Sequence, residues 1–113
     1  MRPYNLAVAS MKGQLHRILR RFVVADASME PTLVAGQGLL TTAYGPVRVG
    51  QVRCLQHPQR PGFWLVKRVA AVHSDGTMTV LSDNPRGTDS RMFGDVPTRG
   101  SYRVLVAIPK RFM

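Results

Sequence analysis

Ser28 and Lys67 are the two residues of this 113-residue chain whose types and settings could do covalent chemistry together. A serine hydroxyl is a poor nucleophile near neutral pH unless a neighbouring base takes its proton. A lysine can be that base only if its ammonium is desolvated enough to release a proton near pH 7. Ser28 stands in Ser28-Met29-Glu30-Pro31-Thr32-Leu33, a turn set by Pro31, and Lys67 lies in a strand-like run, Phe63 to Val72. Alternation puts Leu65, Lys67, Val69 and Ala71 on one face and Trp64, Val66, Arg68, Ala70 and Val72 on the other. Apolar neighbours on its own face would bury Lys67 and pull its pKa below the usual value of about 10.4. Such a pair would attack an acyl carbon. Each residue alone also has a plainer reading: a lysine snorkelling from a sheet edge, and a serine opening a proline turn.

The elements that must position these residues read as mostly β. Short apolar or alternating runs cover Phe22–Ala25, Leu39–Ala43, Gln51–Gln56, Phe63–Val72, Thr77–Ser82 and Tyr102–Ile108, with glycine- and proline-bearing turns between them. Asp75-Gly76 is a strong hairpin signal joining the Lys67 strand to the next one. Residues 5–22 instead have helical spacing: Leu15, Ile18, Leu19 and Phe22 form one stripe, with Lys12, His16, Arg17, Arg20 and Arg21 around it. The expected organisation is a basic amphipathic N-terminal segment, 1–21, followed by one mainly antiparallel β domain, a compact sheet or barrel, over 22–113.

A hydrophobic content of 44% with 19% charged residues marks a globular chain rather than a disordered one. No apolar run approaches the roughly 20 residues needed to span a bilayer, and basic residues interrupt any signal-peptide core near the N-terminus. The expectation is a cytoplasmic protein without a transmembrane helix. The net charge of +10 favours acidic partners, whether nucleic acid, anionic lipid or protein, without choosing among them. The basic helix could accordingly touch an anionic membrane surface. Cys54, the only cysteine, excludes an internal disulfide and reads as a small buried filler in a strand. His16, His57 and His73 lack metal-site spacing, so neither a metal nor another cofactor is expected.

Three segments taken together resemble the ordered boxes of the type I signal peptidase family. They are Ser28-Met29-x-Pro31-Thr32-Leu33, then Val66-Lys67-Arg68-Val69, then Asp83-Asn84 followed by Asp89-Ser90-Arg91-x-x-Gly94-x-Val96-Pro97. The resemblance covers roughly residues 22 to 108. It implies that Ser28 is the nucleophile of a Ser/Lys endopeptidase and Lys67 its general base. The Ser28 amide would be one oxyanion donor, within the turn completed by Met29. Many family members carry a donor hydroxyl two residues before the serine; here Asp26 stands there, and an ionised carboxylate cannot donate. The resemblance leads us to expect Asp26 to turn outward. The usual Gly-Asp-Asn is Ser82-Asp83-Asn84, and the loop up to Asp89 is one residue short. The hydroxyl that orients the lysine is expected in that loop, with Thr88 the first candidate and Ser90 the second. Asp83 is expected to pair with Arg68, and Asp89 and Arg91 to hold the loop.

The resemblance also implies that an extended peptide adds as a strand between the segment before the serine and the segment before the lysine. Phe22, Val24, Met29, Trp64 and Leu65 would then line shallow pockets for small side chains, although core packing is the plainer role for Met29 and Trp64. The small format is similar to that of proteases that remove the prosequence of nickel-type superoxide dismutase. The expected partner is therefore a protein bearing an N-terminal leader or prosequence, such as that dismutase precursor. A general signal-peptidase-like processing enzyme at the membrane surface is a second reading, and an inactive relative a third. From a different class comes a non-catalytic basic β-barrel using Arg60, Arg86, Arg99 and Arg103 on phosphates. Nucleic acid is not the expected partner, because aromatics do not interleave with the basic residues.

Overall fold

Period-two runs rich in valine, leucine, threonine and aromatics, cut by turns at Gly, Pro and Asp-Gly, give seven strands among the described residues. The computed structural model describes residues 18–112. The strands are β1 (Leu19–Val23), β2 (Gly38–Thr42), β3 (Val52–His57), β4 (Arg60–Val72), β5 (Thr77–Leu81), β6 (Val96–Pro97) and β7 (Tyr102–Ile108). All pairings are antiparallel, in one sheet ordered β1-β2-β7-β3-β4-β5-β6. The hydrogen-bonded order has two ends rather than closing into a barrel.

The 13-residue β4 organises the molecule. Leu65 and Val69 pack on one face with Leu55, Met78, Val80 and Val96. On its other face Trp64 and Val66 pack against a second cluster built from Val24, Met29, Leu33, Leu39 and Cys54. Lys67 lies between Leu65 and Val69 on the first face, as alternation expects, and is 1% exposed. The Asp75-Gly76 hairpin joins β4 to β5 as expected, with Gly76 at φ 84° and the Asp75 carboxylate accepting from the Thr77 amide. Past it the ladder slips by one residue between Val69 and Ala71.

Two elements depart from the expectation. The end of the helix expected over 5–22 is strand: Leu19 to Val23 pair residue by residue with Thr42 to Gly38. Leu19 and Phe22 fit a helical stripe locally, but a short helix is marginal, whereas pairing with β2 satisfies the backbone groups on the sheet side of the segment. Leu19 to Arg21, expected in the N-terminal segment, therefore belong to the sheet, and residues 5–17 of the expected helix lie outside the described residues. The other departure is the unanticipated pair of α1 (Ser90–Phe93), capped by the Asp89 side chain, and the two-residue β6. Among the described residues no helix is long and apolar enough to cross a membrane.

Candidate active site

The Ser28 turn is built locally and then clasped from a distance. Glu30 donates its amide to the Ala27 carbonyl and Leu33 to that of Met29, closing the turn around the cis Glu30–Pro31 bond. Met29, Leu33 and Val24 anchor it in the second apolar cluster. From the loop after β5, Asn84 donates its amide to the Ser28 carbonyl at 2.9 Å and its side-chain Nδ2 to the Ala27 carbonyl at 2.9 Å. The Asp83 amide meets Met29 Sδ, and Thr32 donates its hydroxyl to Asp83. The three segments singled out in the sequence are thus in contact.

Lys67 Nζ donates to Ser82 Oγ at 3.0 Å, and Ser82 Oγ donates onward to the Thr88 carbonyl at 3.1 Å. The expected orienting hydroxyl is therefore not Thr88 or Ser90 but Ser82. Thr88 contributes its carbonyl, and Ser90 Oγ accepts from the Val80 amide. Burial pushes the Lys67 ammonium below the ordinary lysine value, against the opposing pull of the Asp26 and Asp89 carboxylates. A neutral amine that spends one N–H on Ser82 keeps its lone pair free to take a proton.

Ser28 and Ser82 meet at Gly87. A Cβ there would lie 2.5 Å from Ser82 Oγ and 2.8 Å from Ser28 Cβ, so no side chain fits. Ser28 and Ser82 thus abut the same glycine, and Lys67 is linked to that point through its bond to Ser82, while Ser28 Oγ and Lys67 Nζ are not hydrogen-bonded to each other. Ser82 and Gly87 were not anticipated, yet the signals were present: a hydroxyl where the family pattern has glycine, and a loop one residue short.

The supporting ion pairs are as expected. Arg68 Nε and its terminal nitrogen Nη2 fork onto Asp83, each at 2.8 Å, and this holds the Asp83 carboxyl below its ordinary range. Asp89, 0% exposed, accepts from Arg91 Nε at 2.9 Å and from the Ser82 amide at 2.8 Å. Burial pushes Asp89 up, but these hydrogen bonds outweigh it and hold the carboxyl down. Asp26 corrects the expectation that it turns outward: its Oδ1 accepts from the Ser28 amide at 3.0 Å. That bond, with the Ser28 hydroxyl and the Lys67 charge, holds Asp26 below the carboxylate range despite partial burial.

A cleft of about 50 Å³ leads to the serine, lined by the expected Phe22, Val24, Met29, Trp64 and Leu65 together with Asp26 and Ser28. β1 ends the sheet, and β4 before Arg68 pairs with β3 only, so each flanks the cleft with an unpaired edge. Phe22, Trp64 and Tyr102 pack together around the Arg20 guanidinium, whose carbon is 4.5 Å from the Trp64 ring centroid. A larger cleft of about 250 Å³, lined by His57, Pro58, Pro97 and Arg99, lies apart from this chemistry. Cys54 is buried and its thiol is pushed up to about 12, an inert filler as expected. Arg60, Arg86, Arg99 and Arg103 sit on separate stretches, Arg60 stacking on Phe63.

No protein-family model matches the chain, and no curated protein is significantly similar to it.

Proposed function

We propose that the chain is a serine endopeptidase of the signal peptidase type, with Ser28 as nucleophile and Lys67 as general base. One observation carries this reading: a lysine 1% exposed is tied to Ser82, and Ser82 and Ser28 abut the same Gly87. A buried lysine with no carboxylate bonded to its amine is costly to keep, and such groups concentrate at reaction centres. In this proposal the Lys67 amine takes the Ser28 hydroxyl proton as Oγ attacks the scissile carbonyl carbon. The resulting ammonium then protonates the leaving amine as the C–N bond breaks. Water, deprotonated by the same amine, hydrolyses the Ser28 ester and frees the acid.

The substrate proposed is an extended segment of a protein leader or prosequence, paired between the unpaired edges of β1 and β4. The small cleft favours small side chains before the cut. The precursor of nickel-type superoxide dismutase is the particular substrate that the sequence resemblance suggests. We place the reaction in the cytoplasm, with peripheral membrane contact through exposed Val23 and Val106 beside basic Arg21. The test compares the wild type with Ser28→Ala and Lys67→Met on leader peptides. Either change is expected to lower kcat by about 10³ or more. Equal cleavage by all three proteins would remove the proposal.

A further inference from the structure

Asp26 is the one acidic residue lining the cleft, and its carboxylate is spent on the reaction centre. We propose that Asp26 is a latch, its carboxylate occupying the Ser28 amide on which a substrate carbonyl oxygen must dock, so that the incoming strand has to displace it. The consequence for turnover rests on the peptidase reading above. An amide has one hydrogen, and an acceptor 3.0 Å away uses it. A developing oxyanion needs that same hydrogen, so the closed latch leaves the Ser28 donor unavailable.

The latch also acts on the base. Three charged groups face Lys67: Asp26 from the segment after β1, Asp89 from the loop after β5, and Arg53, its register partner on β3. Asp89 is committed to Arg91 and the Ser82 amide, and the Arg53 guanidinium to Ser101 and Gln51. Asp26 is exposed and tied only to Ser28, so it alone can swing away without breaking the loop. Its departure removes an attraction that holds a proton on Lys67, while burial, which favours the neutral amine, stays in place. A bound peptide thereby frees the amide and readies the amine in one displacement.

Three variants separate these effects. Asp26→Asn keeps an acceptor but loses the charge, Asp26→Ala loses both, and Asp26→Ser puts a donor hydroxyl in place. Lysine side chains labelled with ¹³C at Cε are titrated by NMR, Lys67 being identified by the resonance missing in Lys67→Met. The midpoint for Lys67 is expected to fall in all three variants. With a leader peptide, Asp26→Ala and Asp26→Ser are expected to raise kcat/KM on the order of tenfold, the range of a charge-assisted hydrogen bond. Asp26→Asn is expected to gain less, and the acid limb of every variant to move to lower pH. An unchanged Lys67 midpoint, or variants slower than the wild type, overturns the latch. A lowered midpoint in variants that show no Ser28-dependent cleavage supports the latch and removes the peptidase reading.

Discussion

Ser82 decides what Lys67 can do. Its hydroxyl accepts from Nζ because its own proton is given to the Thr88 carbonyl, a chain that leaves the amine one direction in which to accept. Ser82→Ala is expected to lower kcat about 10- to 100-fold with KM nearly unchanged, because it misplaces the base without touching the substrate cleft. Steady-state kinetics beside Thr88→Val check this; the Thr88 change should cost far less, since its contribution is a backbone carbonyl. The Arg68–Asp83 pair was legible in the sequence, as were Ser28 and Lys67, the proposed nucleophile and base. Ser82 was not, for a reason visible in the register. Counting back from the Asp75-Gly76 hairpin through Ala71↔Thr79 sets Asp83 opposite Lys67, but the slip between Val69 and Ala71 gives Arg68↔Leu81 and puts Ser82 next to Lys67 instead. Turn chemistry announces a hairpin; a bulge inside it follows from packing on both faces.

The loop after β5 is the element that makes a site out of two strands and a turn. It grips the Ser28 turn through Asn84, grips β4 through Asp83 and Arg68, and turns back over Gly87. Gly87→Ala is expected to push Ser28 and Ser82 apart, costing about 1–3 kcal/mol in stability and more than tenfold in kcat. Chemical denaturation and peptide cleavage measure the two effects. Asp83→Ala should cost less in stability, about 1 kcal/mol, because the Arg68 side chain is 37% exposed and the pair is screened. Its larger effect is expected on activity, through the loosened turn. The motif residues of this loop could be read in the sequence, but the outcome for Leu19 to Val23 could not. Helical spacing there is a property of one segment, whereas the pairing that overrides it belongs to β2.

For the whole molecule, the buried Lys67 lowers stability. Burial holds Lys67 below the ordinary lysine value of 10.5 when folded, so between its folded value and 10.5 the unfolded chain binds more protons than the native state. Stability due to this group therefore rises with pH across that window and is least below it. Lys67→Met is expected to abolish activity yet raise Tm at pH 7, by roughly 4–8 °C for each kcal/mol recovered. The advantage should shrink as pH climbs toward 10.5, which thermal melts across pH would display. Asp83 and Asp89 work in the opposite range. Their carboxyls lie below the ordinary 3.8, so they stabilise the fold above that pH and lose this contribution as pH falls through their folded values. Asp89→Asn should flatten the acid side of the same melts.

By itself the sequence determined that this is an antiparallel β protein, where its central hairpin turns, and which serine and lysine could react. Those features follow from period-two alternation, turn residues and the rarity of a lysine among apolar neighbours, all readable within a few positions. The tertiary structure alone decided that Ser82 holds the Lys67 amine, that Asp26 covers the Ser28 amide, and that Gly87 leaves room for both serines. Each depends on where distant segments come to rest, and a single-residue slip in a ladder redirects every side chain beyond it.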